Sequence, residues 1–139
     1  MSNASYVANG SFVTNGSAGL TTANVTLANA GDLLVIWVKG RYLTNPAIHV
    51  TGIGTSGSGS ISAPVNAVQY YTVDHSGNDD EIWYASVTTA GAITLTFTWS
   101  GSNSSDYSEY STQEFQPSSP STYSVDTTGH YENSADTTT

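Results

Sequence analysis

A chain of 139 residues with a net charge of −9 and only 9% charged side chains fits one domain. Its solubility rests on hydroxyl and amide groups rather than ion pairs, because an average soluble chain is roughly 25% charged. The 21 Ser, 20 Thr, ten Asn and 13 Gly disfavour helix interiors and exclude a helical bundle or coiled coil. With no Cys, one Lys, one Arg and three His, disulfide frameworks and thiol metal sites are excluded, and nucleophilic or metal catalysis has few groups to draw on.

In chain order, residues 6–13 are a short apolar-flecked stretch closed by Asn15-Gly16, a turn dipeptide tolerant of positive φ. Ala23, Val25 and Leu27 alternate with Asn24, Thr26 and Ala28, which predicts a half-buried strand, and Asn29-Ala30-Gly31-Asp32 turns the chain. Leu33-Leu34-Val35-Ile36-Trp37-Val38 is apolar on both faces and predicts a central strand covered on both sides. Ile48 and Val50 share one face of another short strand, with His49 between them. Residues 52–62 hold four Gly and four Ser, which predicts a flexible surface loop. Strand character resumes over residues 65–73 with Tyr70 and Tyr71, and residues 74–80 form a polar turn.

Glu81-Ile82-Trp83-Tyr84-Ala85-Ser86-Val87 then reads as a strand, and Thr88-Thr89-Ala90-Gly91 as a turn. Ile93, Leu95, Phe97 and Trp99 alternate with Thr94, Thr96 and Thr98, completing the clearest hairpin in the chain. Residues 101–105 are a loop and residues 107–115 a more polar strand. From residue 116 onward come two Pro, three acids (Asp126, Glu132, Asp136) and only Tyr123, Val125 and Tyr131 as sizeable apolar groups. That composition fits either disorder or an extended arm that wraps a neighbour.

About eight strands with closely spaced turns predict an all-β, antiparallel two-sheet β-sandwich, Ig-like or jelly-roll. The expected organisation is an extended N-terminal arm or edge strand over residues 1–19, a sandwich core over 20–115 and a polar C-terminal extension over 116–139. Trp37, Leu95 and Phe97 are expected in the core.

Charge divides the chain unevenly. Residues 1–73 hold Asp32 against Lys39 and Arg41, for +1, whereas residues 74–139 hold ten acids and no base, for −10. Two cations cannot form the basic stripe that nucleic acid requires, and anionic membrane surfaces are disfavoured for the same reason. The longest apolar run, six residues from Leu33 to Val38, is far below a membrane span. No basic n-region and apolar h-region follow Met1, so the chain does not read as an intact secretory precursor.

Four carboxylates within residues 74–81 are hard oxygen ligands of the kind calcium takes, but their spacing departs from an EF-hand loop and suits a solvated hairpin turn. Glu81, Glu109 and Glu114 could supply a glycosidase acid pair, although nothing in the sequence places two of them across a groove. His49, His75 and His130 give no local metal pattern, and no nucleophile elbow accompanies them. Tyr70, Tyr71, Trp83 and Tyr84 form two adjacent aromatic pairs on strands, which could stack on sugar faces. Successive strand residues face opposite ways, so one of each pair could equally fill the core. Asn3, Asn9, Asn15, Asn24 and Asn103 head glycosylation sequons, which matter only in a glycosylating secretory setting.

Three stretches together resemble Ig-like or jelly-roll β-sandwich domains of bacterial surface proteins and tailed-phage structural proteins. They are Gly31-Asp32-Leu33-Leu34-Val35-Ile36-Trp37-Val38, then Glu81-Ile82-Trp83-Tyr84-Ala85 with Ala90-Gly91-Ala92-Ile93-Thr94-Leu95-Thr96-Phe97, and Thr112-Gln113-Glu114-Phe115. The resemblance implies a structural, decorating or adhesive module. Such domains often continue with further strands after the Glu-Phe strand, so a strand supplied by a neighbouring subunit is expected.

The expected function is therefore that of a non-enzymatic structural protein, a virion component such as a capsid-decoration or tail protein, acting through assembly contacts on the virion surface or elsewhere outside the cell. Its expected partners are other virion or filament subunits, including copies of itself in a homo-oligomer, with no nucleic acid and no membrane. The alternatives are a carbohydrate-binding or adhesin module, whose glycan would stack on Tyr70, Tyr71, Trp83 and Tyr84, and an exported filament subunit completed by donor-strand exchange. No catalytic residue, metal or cofactor is expected.

Overall fold

The computed structural model describes residues 5–9, 13–15, 22–41, 49–72, 78–100, 107–117 and 129–133, and the regular elements among them are all β-strands. In chain order they are β1 (Ser5–Asn9), β2 (Val13–Asn15), β3 (Thr22–Leu27), β4 (Leu33–Arg41), β5 (Val50–Gly57), β6 (Ser60–Ile61), β7 (Val65–Thr72), β8 (Asn78–Thr89), β9 (Gly91–Trp99), β10 (Tyr107–Gln116) and β11 (Gly129–Asn133). The larger sheet runs β1-β10-β4-β8-β7-β11, with β2 also pairing with β10 and β6 with β8. The smaller sheet runs β3-β9-β5. Pairing is antiparallel throughout except between β7 and β11. The chain is an all-β sandwich.

Alternation explains which face each strand buries. On β3, Ala23, Val25 and Leu27 point inward while Thr22, Asn24 and Thr26 stay exposed; on β9, Ile93, Leu95 and Phe97 do the same between exposed or half-buried threonines. Leu34, Ile36 and Val38 of β4, Trp83 and Val87 of β8 and Tyr110 of β10 meet them from the larger sheet. Each such side chain contributes roughly 1.5 to 3 kcal/mol of burial, so the inner faces of β3, β4, β8 and β9 are what hold the two layers together. Phe97 and Tyr110 touch across the layers, with ring centroids 6.1 Å apart and planes tilted by 43°, a favourable aromatic geometry.

Three expectations are corrected. Residues 52–62 are not a free loop: β5 pairs with β9 from Val50 to Gly57, and β6 pairs with β8. Backbone ladders need no side chains, and Ile53 anchors the strand in the core. The glycines serve a close approach instead. Gly57 has φ +136° and Gly91 φ +137°, and the amides of Ser58 and Gly59 both donate to the Ala92 carbonyl at 3.0 and 3.1 Å.

The second correction concerns Trp37, which points away from the core. Only the inner face of β4 is fully buried, while Leu33, Val35 and Trp37 lie half-buried on the outer face. The third concerns the polar turn of residues 74–80: Asp79 and Asp80 already belong to β8, and Glu81 follows in the same strand, as expected, with no exposed surface. Residues 74–77 of that turn, the 101–105 loop and Tyr123 and Val125 lie outside the described residues.

Candidate functional site

Because β10, β4, β8 and β7 are paired in register, their outward side chains form cross-strand rows. One row is Gln113, Val35, Tyr84 and Val65; the next is Ser111, Trp37, Ile82 and Val68. Val65 is 46% exposed, and Val68 and Ile82 are each 37% exposed. A solvated outer face would carry polar residues at such positions. Here four aliphatic and two aromatic side chains cover the centre of the sheet, a contiguous apolar surface of the kind that marks an interaction site. In the row beyond, Lys39 is paired in register with Glu109 on one side and Asp80 on the other.

The aromatic candidates are not brought together on one face. Tyr84 joins the outer face, half-buried. Trp83 is 7% exposed and its indole N–H donates to Glu81 Oε2 at 2.8 Å, so its ring belongs to the interior. Tyr70 and Tyr71 pair through their backbones with Asp80 and Asp79, and their side chains lie outside the described residues. Trp37, expected in the core from a run that is apolar on both faces, is diagonally adjacent to Tyr84 on the outer face, since Tyr84 is paired with Val35 and Ile82 with Trp37. The signal was present in the run of residues 33–38: an apolar residue on both faces requires cover on both faces, and a two-layer sandwich covers only one.

The three glutamates are also separated. Glu81 on β8 accepts the Val50 amide on Oε1 at 2.6 Å, and on Oε2 the Asn66 side-chain amide at 2.7 Å and the Trp83 indole. Glu114 on β10 accepts the Ala28 amide on both oxygens, at 3.0 and 2.9 Å, and the Asn29 amide on Oε1 at 3.2 Å. Glu109 faces outward on the opposite side of β10 from Glu114. Glu81 and Glu114 have their acceptor capacity committed to internal donors, which is the arrangement of structural brackets rather than of an acid pair across a cleft. Burial pushes the Glu114 carboxyl above the usual carboxylate range. The Ala28 and Asn29 amides oppose that rise, and the neighbouring Asp32 carboxyl adds to it.

An open groove of about 460 Å³ lies over β3 and β9, lined among others by Asn24, Thr26, Ser58 and Thr94, with no acid or base in its walls. Among the described residues no three His, Cys, Asp or Glu side chains converge. His49 lies at the start of β5 with its backbone bonded to Ser100, His75 lies outside the described residues, and His130 is described only through its backbone pairing with Gln69. Fold and surface together define a two-sheet β-sandwich domain with one apolar outer face. Comparisons with protein-family models, with curated protein sequences and with solved structures found no match.

Proposed function

We propose that this chain is a non-enzymatic structural subunit of an extracellular assembly, a capsid-decoration or tail component of a virion, and that it works by contact between copies of itself. The observation that supports this reading is the pair of apolar rows centred on Trp37, Ile82, Val65 and Val68. The patch carries no charge, while the chain as a whole carries −9. The net charge opposes close approach of copies in general, whereas this face can meet its like without burying a charge, which favours association through it. Light scattering on the full chain over a concentration series tests it. Oligomers that dissociate in Ile82→Lys support the reading, and a monomer at every concentration overturns it.

A second reading rests on the Trp37–Tyr84 diagonal. Two half-buried rings on the outer face of the sheet, beside the polar Gln113, Ser111 and Ser86, offer a platform for the apolar faces of a neutral polysaccharide. A change in tryptophan fluorescence on adding polysaccharide, lost in Trp37→Ala, would favour this reading over self-association.

A further inference from the structure

The turn between β3 and β4 holds two carboxyls side by side in the interior. Asp32 is 1% exposed and Glu114 is 2% exposed, and the Asp32 carboxyl lies close enough to raise the proton affinity of Glu114. Asn29 links them, its backbone amide donating to Glu114 Oε1 at 3.2 Å and its side-chain amide to Asp32 Oδ2 at 3.1 Å. The same turn is tied to β8, since Gly31 N–H donates to the Val87 carbonyl and Val87 N–H to the Asp32 carbonyl, both at 2.8 Å. Among the described residues these bonds tether the C-terminal end of β3, an edge strand of the smaller sheet, to two strands of the larger one.

Two ionised carboxylates offer only acceptors to each other and repel, whereas a proton between them makes an O–H···O bond. Among the described residues no cation offsets the charge from the neighbouring elements. In register with Glu114 stand Ala8 of β1 and Leu34 of β4, and then Ala85 of β8. Among the described residues the inward ionisable groups on the paired strands are Tyr110, four residues back along β10, and Glu81, four residues before Ala85 on β8; the smaller sheet presents Leu27 at this end. Lys39 and Arg41 lie at the far end of β4, paired with Glu109 and Tyr107.

We propose that Asp32 and Glu114 form a proton-dependent clasp: one shared proton locks the β3–β4 turn onto β8 and β10, and its loss loosens the hold on edge strand β3. The direction follows from linkage. Glu114 binds its proton more tightly in the folded chain than in the unfolded one. The clasp therefore contributes stability that is fully present in acid and is lost as the pH rises through the folded-state value. Ordinary carboxylates run the other way, so the feature separates this pair from the rest of the acidic surface.

Two measurements on the full chain test the proposal. The carboxyl carbon of Glu114, followed by NMR through a pH titration, is expected to titrate above the ordinary glutamate range; titration within or below that range overturns the clasp whatever the variants do. Urea-unfolding midpoints are then compared between about pH 5 and pH 8, a window in which ordinary carboxylates stay ionised. The wild type is expected to lose midpoint across it, Asp32→Asn to lose much less, and the outward-facing control Asp80→Asn to behave as the wild type. A wild-type midpoint that rises with pH, or an Asp32→Asn profile parallel to the wild type, refutes it.

Discussion

Glu81 on β8 and Val50 on β5 are joined by a hydrogen bond of 2.6 Å from the Val50 amide to Glu81 Oε1, which links a strand of the larger sheet to one of the smaller. Asn66 and Trp83 hold the other oxygen. The carboxylate thus closes one end of the sandwich with donors from three strands, and the Trp83 ring is fixed as a by-product.

Removing that carboxylate strands three donors. A buried donor without a partner costs about 1 to 3 kcal/mol, so Glu81→Ala is expected to lose about 3 kcal/mol or more in urea denaturation. Glu81→Gln keeps one acceptor oxygen and is expected to lose less. A loss in Glu81→Ala no larger than that of an exposed substitution such as Gln113→Ala would show that the bracket does not hold the sheets.

Thr112 presents the opposite case. It is 1% exposed and, among the described residues, its hydroxyl has no hydrogen-bond partner. Valine has nearly the same shape without the polar atom, so Thr112→Val is expected to stabilise the fold by about 1 kcal/mol. A lower melting temperature for the variant would count against this account of the site.

Tyr110 sets an alkaline limit. Burial raises its phenol above the ordinary tyrosine value, and the hydrogen bond from the Asn24 backbone offsets part of that rise. The folded state holds this proton more tightly than the unfolded chain. Its contribution to stability is therefore present at neutral pH and is lost as the pH rises through the folded-state value. Tyr110→Phe is expected to flatten the loss of stability above about pH 10 while lowering stability at neutral pH, where the bond to Asn24 is missing. Unfolding midpoints at both pH values check this.

Gly57 is expected to be intolerant. At φ +136° a Cβ would meet the Ala92 carbonyl and stand 2.9 Å from Ile93 Cα. Strained backbone of this kind costs about 1 to 3 kcal/mol before the clash is added, so Gly57→Ala is expected to lose at least about 2 kcal/mol. Gly52→Ala on the same strand meets nothing within 4 Å and serves as the tolerant comparison in thermal melts.

Much of the fold was legible because alternation carries its own geometry. Val25 and Leu27 on β3, and Leu95 and Phe97 on β9, point inward as their spacing implies, since a strand has no other way to separate its apolar from its polar residues. The 52–62 segment misled because glycine and serine describe a flexible chain when read locally. In the fold they permit the close approach of residues 57–59 to residues 91–92, a fact that belongs to both segments and to neither alone. Trp37 misled for a related reason: apolarity reports that a residue seeks cover, and the core is only one kind of cover.

The candidate site was legible only in part. Tyr84 was among the aromatic candidates, yet its partners Trp37, Ile82, Val65 and Val68 are separated from one another by up to 45 residues along the chain. Register across three strands makes them neighbours, and register depends on long-range pairing that no local pattern records.

By itself the sequence determined the class: too few charges and too many hydroxyls for helices, an alternating pattern for strands, and no cysteine for bridges or thiolate ligands. Tertiary structure alone decided that Glu81 and Glu114 are interior brackets rather than surface acids, and that the apolar outer half of β4 joins β7 and β8 in a single exposed face. The reason is physical. A residue's type sets what surroundings it can tolerate, whereas the partners that satisfy a carboxylate or extend an apolar patch come from strands distant in the chain, and only folding brings them within reach.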